Sequence, residues 1–212
     1  FLGQAGLLDI AAIPERYQQQ ALNDSYFTEL KSEYQYLAHK FGLQAMDANQ
    51  WRFLRLRPQN FPHIRIAQLA HLYYEQRAGL SQLLECENVK QVRELLATQV
   101  THYWETHYVF GEKSAKSEKK LSAASLNLQI INTVAPILFA YGKHKNSEKY
   151  CERAFDFLET LKAEENHIVR MWKEVGLMVE TAGDSQALIQ LKKEYCDRKD
   201  CLRCRIGYEY LK

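Results

Sequence analysis

A chain of 212 residues is one large domain or two small ones, and 46% hydrophobic with 25% charged residues supplies enough apolar material for a core. The formal net charge of +2 gives no argument by itself for a nucleic-acid or membrane partner, so any such surface must come from local clustering. Only nine Gly and four Pro over this length speak against a turn-rich β fold and for helices.

In chain order, Asn23 and Asp24 are helix-capping types and lead into Phe27, Leu30, Tyr34 and Leu37, spaced three and four apart as one helix face requires; Gly42 ends that helix. Residues 46–62 read as irregular, an arginine- and aromatic-rich stretch punctuated by Pro58 and Pro62. A helix over about 63–76 puts Ile66, Leu69, Ala70 and Tyr73 inward, and residues 89–109 read as one helix with Val92, Leu95, Leu96 and Val100 as its stripe. Residues 111–120, GEKSAKSEKK, have the composition of a mobile surface loop.

A helix follows over 123–132, and Pro136 opens a second one. The most apolar run, 126–141, is interrupted by Asn127, Gln129, Asn132 and Pro136, so no stretch reads as long enough to cross a bilayer. Ser147 caps a helix whose stripe is Cys151, Ala154, Phe155, Leu158 and Leu161. Another spans about 164–175, and Asp184 or Ser185 caps the last. No strand alternation and no fixed repeat appear. The expectation is a single all-α domain over 1–212, an irregular multi-helix bundle of antiparallel helical hairpins.

Cys196, Cys201 and Cys204 have the spacing C-x4-C-x2-C directly after a helix. Thiolates so placed suit zinc or an iron–sulfur cluster, with Cys151, Cys86, a histidine or a residue outside this chain as the fourth ligand. Cys151 is taken into the candidate set, although on an apolar helix face it also reads as a small core residue. The surrounding Lys192, Lys193, Arg198, Lys199, Arg203 and Arg205 favour the thiolate form. Three cysteines crowded together in an odd total of five do not read as a secreted disulfide framework, which points to a reducing, cytoplasmic setting.

Arg52, Arg55, Arg57 and Arg65 interleave with Trp51, Phe53 and Phe61, the residue types that combine phosphate contact with base stacking. The competing reading, which the near-neutral net charge favours, makes the aromatics and leucines core and pairs the arginines with local carboxylates or helix C-termini. His102 with Glu105, and Glu164 with His167, are three apart on helices and read more readily as surface pairs than as acid–base dyads. Asn127, Asn132 and Asn166 read as hydrogen-bonded packing residues. No GxSxG, P-loop or GxGxxG motif is present.

The opening Phe1-Leu2-Gly3-Gln4-Ala5-Gly6-Leu7-Leu8, then Arg55-Leu56-Arg57-Pro58 with Asn60-Phe61-Pro62, Arg65-Ile66-Ala67-Gln68-Leu69-Ala70, Asn132-Thr133-Val134-Ala135-Pro136, Glu165-Asn166 and the closing Cys201-Leu202-Arg203-Cys204-Arg205-Ile206-Gly207 together resemble the bacterial family of unknown function DUF2851. The resemblance implies that the chain is the C-terminal part of a longer protein. Its N-terminal part would be richer in β structure, carry motifs loosely like those of nucleases, and be this chain's first partner. It assigns no activity. Three readings follow: a helical accessory domain that binds nucleic acid and is stapled by a thiolate site, a protein-interaction or oligomerisation scaffold, or a self-sufficient enzyme.

Overall fold

The Asp24 carboxylate accepts the Tyr26 N–H at 2.9 Å, and Gly42, at φ +62°, donates its N–H to the Ala38 carbonyl, so the expected cap and stop bracket a helix at Ser25–Phe41. The computed structural model describes residues 1–211 and is mostly helical. In chain order the helices are α1 (Glu15–Leu22), α2 (Ser25–Phe41), α3 (Pro62–Tyr74), α4 (Leu80–Glu85), α5 (Val89–Leu96), α6 (His102–Glu105), α7 (Ala123–Gln129), α8 (Ala135–His144), α9 (Glu148–Thr160), α10 (His167–Glu174), α11 (Ala182–Leu191) and α12 (Arg205–Leu211). A two-stranded antiparallel hairpin, β1 (His107–Val109) and β2 (Glu112–Lys113), follows α6. The chain gathers into two compact units: Phe1–Gly79 with Leu96–Ser122, and Leu80–Leu95 with the chain from Ala123 onward.

In the first unit, the opening segment is itself core. Leu2, Ala5, Leu7 and Leu8 are buried against Phe27, Ile64, Trp104 and Phe110. Burying each of the three large rings contributes about 2–3 kcal/mol. Gly3 lies directly under the Tyr34 ring, where any Cβ would collide with it. On α3 the buried face is His63, Ile64, Ala67, Gln68 and Leu72, whereas Leu69 and Tyr73, expected inward, are exposed. The polar members of that face can be buried because they find partners, as described below.

The single helix expected over 89–109 is broken. It stops at Leu96, resumes for one turn as α6, and passes into β1. The absence of strands expected from the sequence is thereby corrected, since Gly111, at φ +78°, supplies the left-handed turn that folds β2 back on β1. The segment read as a mobile loop is tied down: Ser114 N–H bonds Thr106 O at 2.7 Å, Ser117 N–H bonds Glu105 O at 2.9 Å, and Lys119 is buried.

In the second unit, α7 and α8 are one continuous helix joined by a π-helical turn, Ile130–Val134, rather than two helices divided at Pro136. Pro136 has no N–H to donate, and the widened turn absorbs that loss. This 22-residue helix, Ala123–His144, has a mean hydropathy of 1.4 over its most apolar window, long and apolar enough to cross a membrane. That corrects the expectation of no such run: the scattered amides lower the average too little. Its face formed by Ile130, Ile131, Val134 and Leu138 is buried.

Ser147 precedes α9 as expected but makes no side-chain cap bond. The buried face of α9 is Arg153, Ala154 and Phe157, while Phe155, expected inward, is exposed. Arg153 can be buried because its guanidinium donates to the carbonyls of Leu84 at 2.7 Å and Cys86 at 3.0 Å. Thr181, not Asp184 or Ser185, caps α11. Asp184 is the reciprocal member of a capping box, and its carboxyl is held below the usual range by the N–H groups of Thr181 and Glu180.

Candidate functional site

Residues 48–74 contain no Asp or Glu and four arginines. This run crosses the surface as an irregular arm before α3 begins at Pro62. Arg52, Arg55 and Arg57 are all exposed, and among the described residues none of them pairs with a carboxylate. Leu54 between them is 85% exposed. The Leu56 N–H donates to the Phe53 carbonyl at 3.1 Å, closing a tight turn that holds Arg55 at φ +65°. That left-handed position ordinarily takes glycine, and an arginine there costs about 1–2 kcal/mol.

The arm is rooted firmly. The Trp51 indole donates to Ala5 O at 2.7 Å, and the Phe53 ring stacks edge-on against Phe61 and tilts against His63. These aromatics are therefore half-buried anchors rather than free stacking platforms. His63, 4% exposed, is boxed by Phe53, Trp104 and Phe110, and its Nδ1 has no hydrogen-bond partner. Burial pushes its pKa down to about 4, so the ring is neutral at ordinary pH.

Arg65 does not belong with the three exposed arginines. It is half-buried and donates to Asn60 Oδ1 at 2.6 Å and Gln68 Oε1 at 2.9 Å, which stitches the arm to α3. Gln68 in turn donates to the Lys119 carbonyl at 2.6 Å. The Lys119 ammonium donates to the carbonyls of Trp104, Glu105 (3.0 Å) and His107 (2.9 Å), and sits 4.0 Å from the centre of the Tyr108 ring. Burial lowers its pKa, and the Glu105 carboxylate opposes the shift.

The cysteine tail is built differently. Cys204 is buried, Cys196 and Cys201 are exposed, and Cys151 is half-buried with its thiol 3.7 Å from the Phe139 carbonyl. Among the described residues no three His, Cys, Asp or Glu side chains gather closely enough to hold a metal ion. The set Cys196, Cys201, Cys204 and Cys151 is thus not brought together, and this arrangement does not fit a zinc or iron–sulfur site. Three of the basic residues expected to favour thiolates are instead paired with carboxylates: Lys192 with Asp197, Arg198 with Glu194 at 2.7 Å, and Arg203 with Asp200 at 3.5 Å.

The acid–base pairs resolve as surface and packing contacts. His102 Nδ1 lies 3.2 Å from the Glu105 carboxylate, which also pairs with Lys116 at 3.2 Å. Lys116 is the largest influence holding that carboxyl below its ordinary value. Glu164 accepts from the Gln186 amide. Asn127 accepts from Arg93 at 2.9 Å, Asn132 bonds back to Leu128 O at 3.0 Å, and Asn166 caps α10 through the Val169 N–H at 3.0 Å.

Sequence reasoning missed the buried cation Lys119, hidden in a run whose composition suggested solvent. It also missed the polar stack in which Tyr103 lies between Tyr26 (4.1 Å) and His107 (4.0 Å) while its hydroxyl donates to the Asp24 carboxylate at 2.6 Å. Burial, and then that hydrogen bond, raise the Tyr103 pKa far above a free phenol. The acid-free run itself was legible, since a count of carboxylates between Asp47 and Glu75 returns none.

The family model described as protein of unknown function (DUF2851) matches residues 1–167; the closing cysteine block lies beyond the match. No curated protein and no solved structure matches the chain.

Proposed function

The chain belongs to the DUF2851 family of unknown function, and from that premise we propose that its first unit is a nucleic-acid-binding accessory module that holds phosphates with Arg52, Arg55 and Arg57. The observation that carries this reading is three exposed arginines, none of them ion-paired among the described residues, on an arm without a single carboxylate. A cation with no protein partner is available to a phosphate without first breaking an ion pair, and the guanidinium fork suits phosphate geometry. Trp51 and Phe53 are occupied as anchors, so the arm offers charge without stacking and binds independently of base sequence. Arg65 positions the arm and stays out of the contact set. A reducing, cytoplasmic setting accords with five unbridged cysteines.

The test is the anisotropy of a short fluorescent single-stranded oligonucleotide titrated with the protein between about 50 and 200 mM salt. Three phosphate contacts give a slope of log K against log salt of about −2, or nearer −3 on a duplex. Absent or salt-independent binding contradicts the proposal.

A further inference from the structure

We infer that the groove along α2 receives the arm of a second copy of this chain. Two adjoining cavities of about 410 and 370 Å³ share Tyr26, Leu30 and Glu33 of α2. The second is floored by Leu2, Leu8, Leu30 and Leu37, with Tyr34 and Tyr74 among its walls. Glu29 and Glu33 line the first, one helical turn apart, both exposed and neither ion-paired among the described residues. Like charges at that spacing weaken a helix unless something cationic meets them.

The groove therefore asks for an occupant that carries two positive charges about 6 Å apart beside an apolar side chain. The arm has that chemistry: Arg55 and Arg57 are at most about 7 Å apart along the backbone, and Leu54 is the most exposed leucine in the first unit. Among the described residues each half is unmatched within its own chain, and each is what the other lacks. Reciprocal exchange of two arms closes a symmetric dimer. Such a dimer covers the arginines, so association and oligonucleotide binding compete. The inference shares the arm with the proposed function but does not require nucleic acid to be its ligand.

Sedimentation velocity of the whole chain at low salt, from micromolar to several hundred micromolar, tests it. The wild type forms a dimer that dissociates as salt rises. Glu29→Gln with Glu33→Gln weakens it by about tenfold or more, and Arg55→Gly does the same. Charge reversal gives the decisive arm: Glu29→Arg/Glu33→Arg and Arg55→Glu/Arg57→Glu each stay monomeric alone and associate when mixed. Circular dichroism confirms that each variant is folded. A wild type that stays monomeric, or association that survives loss of both glutamates, overturns the inference. The Glu29→Gln/Glu33→Gln variant keeps every arginine and still binds the oligonucleotide if the proposed function holds. A monomer that binds oligonucleotide sinks only the dimer, and a dimer that never binds oligonucleotide sinks only the nucleic-acid reading.

Discussion

The arm at 51–57 and the tail at 192–205 are both rich in arginine or lysine, yet they use that charge in opposite ways. In the tail, Lys192, Arg198 and Arg203 each meet a carboxylate within five residues along the chain, so their charge is largely cancelled locally. In the arm no carboxylate exists to meet Arg52, Arg55 or Arg57. The arm is also rooted in core through Trp51, Phe53 and the Arg65–Gln68–Lys119 chain, whereas Cys204 is the one buried residue among residues 192–211. The difference teaches that a count of basic residues says little. What matters is whether acids lie within reach and whether the backbone beneath is fixed.

The sharpest way to break this contrast is to remove the root. Lys119→Met takes the ammonium away from three carbonyls of the 104–107 segment, of which Glu105 keeps the Ser117 N–H, and should cost about 3–5 kcal/mol. Urea unfolding of wild type and variant reads this directly. A loss below about 1 kcal/mol would mean that Lys119 does not hold the arm's base.

Acid should loosen the same root by a different route. His63 has a folded pKa of about 4 against 6.5 when unfolded, so the unfolded chain takes up the proton first. Its contribution is complete above about pH 6.5 and is lost as pH falls toward 4, in total about 3 kcal/mol. His63→Phe keeps an aromatic in the box and should flatten that part of the stability–pH curve. An unchanged difference between pH 7 and pH 4.5 would remove His63 as the cause.

The smallest effect is the most discriminating between strain and function. Arg55→Gly relieves the left-handed backbone and should raise stability by up to about 1 kcal/mol while weakening oligonucleotide binding. Lower stability together with unchanged binding would show that Arg55 serves only the fold.

The sequence made some of this legible and hid the rest for identifiable reasons. Asp24 and Gly42 announced helix ends because capping depends on a few local bonds, whereas Asn166, read as a packing residue, proved to be the cap of α10. The buried faces of α3 and α9 were assigned only in part, with Leu69, Tyr73 and Phe155 misplaced and Ala154 and Leu161 buried as expected, because both helices carry apolar side chains on more than one side, so spacing admits two stripes. The choice was made by tertiary partners: the Lys119 carbonyl for Gln68, and the Leu84 and Cys86 carbonyls for Arg153. The 111–120 run looked free because composition cannot show that one of its lysines turns inward. Cys196, Cys201 and Cys204 had a ligand-like spacing, and Cys151 was added to them without one, but spacing along the chain does not fix where side chains converge. The arm's arginines were visible from the start; their lack of partners emerges only from the fold together with the missing carboxylates.

The central claim is that unpaired charge, not total charge, makes the arm a polyanion site. Its most direct test is one oligonucleotide titration on three proteins: wild type, Arg52→Ala/Arg55→Ala/Arg57→Ala, and Lys192→Ala/Arg198→Ala/Arg203→Ala, whose three cations are the ion-paired ones. The account predicts that the arm variant binds about 10- to 100-fold more weakly, with a salt slope shallower by about 2–3, while the tail variant behaves as wild type. Equal loss in both variants, or greater loss in the tail variant, would contradict it.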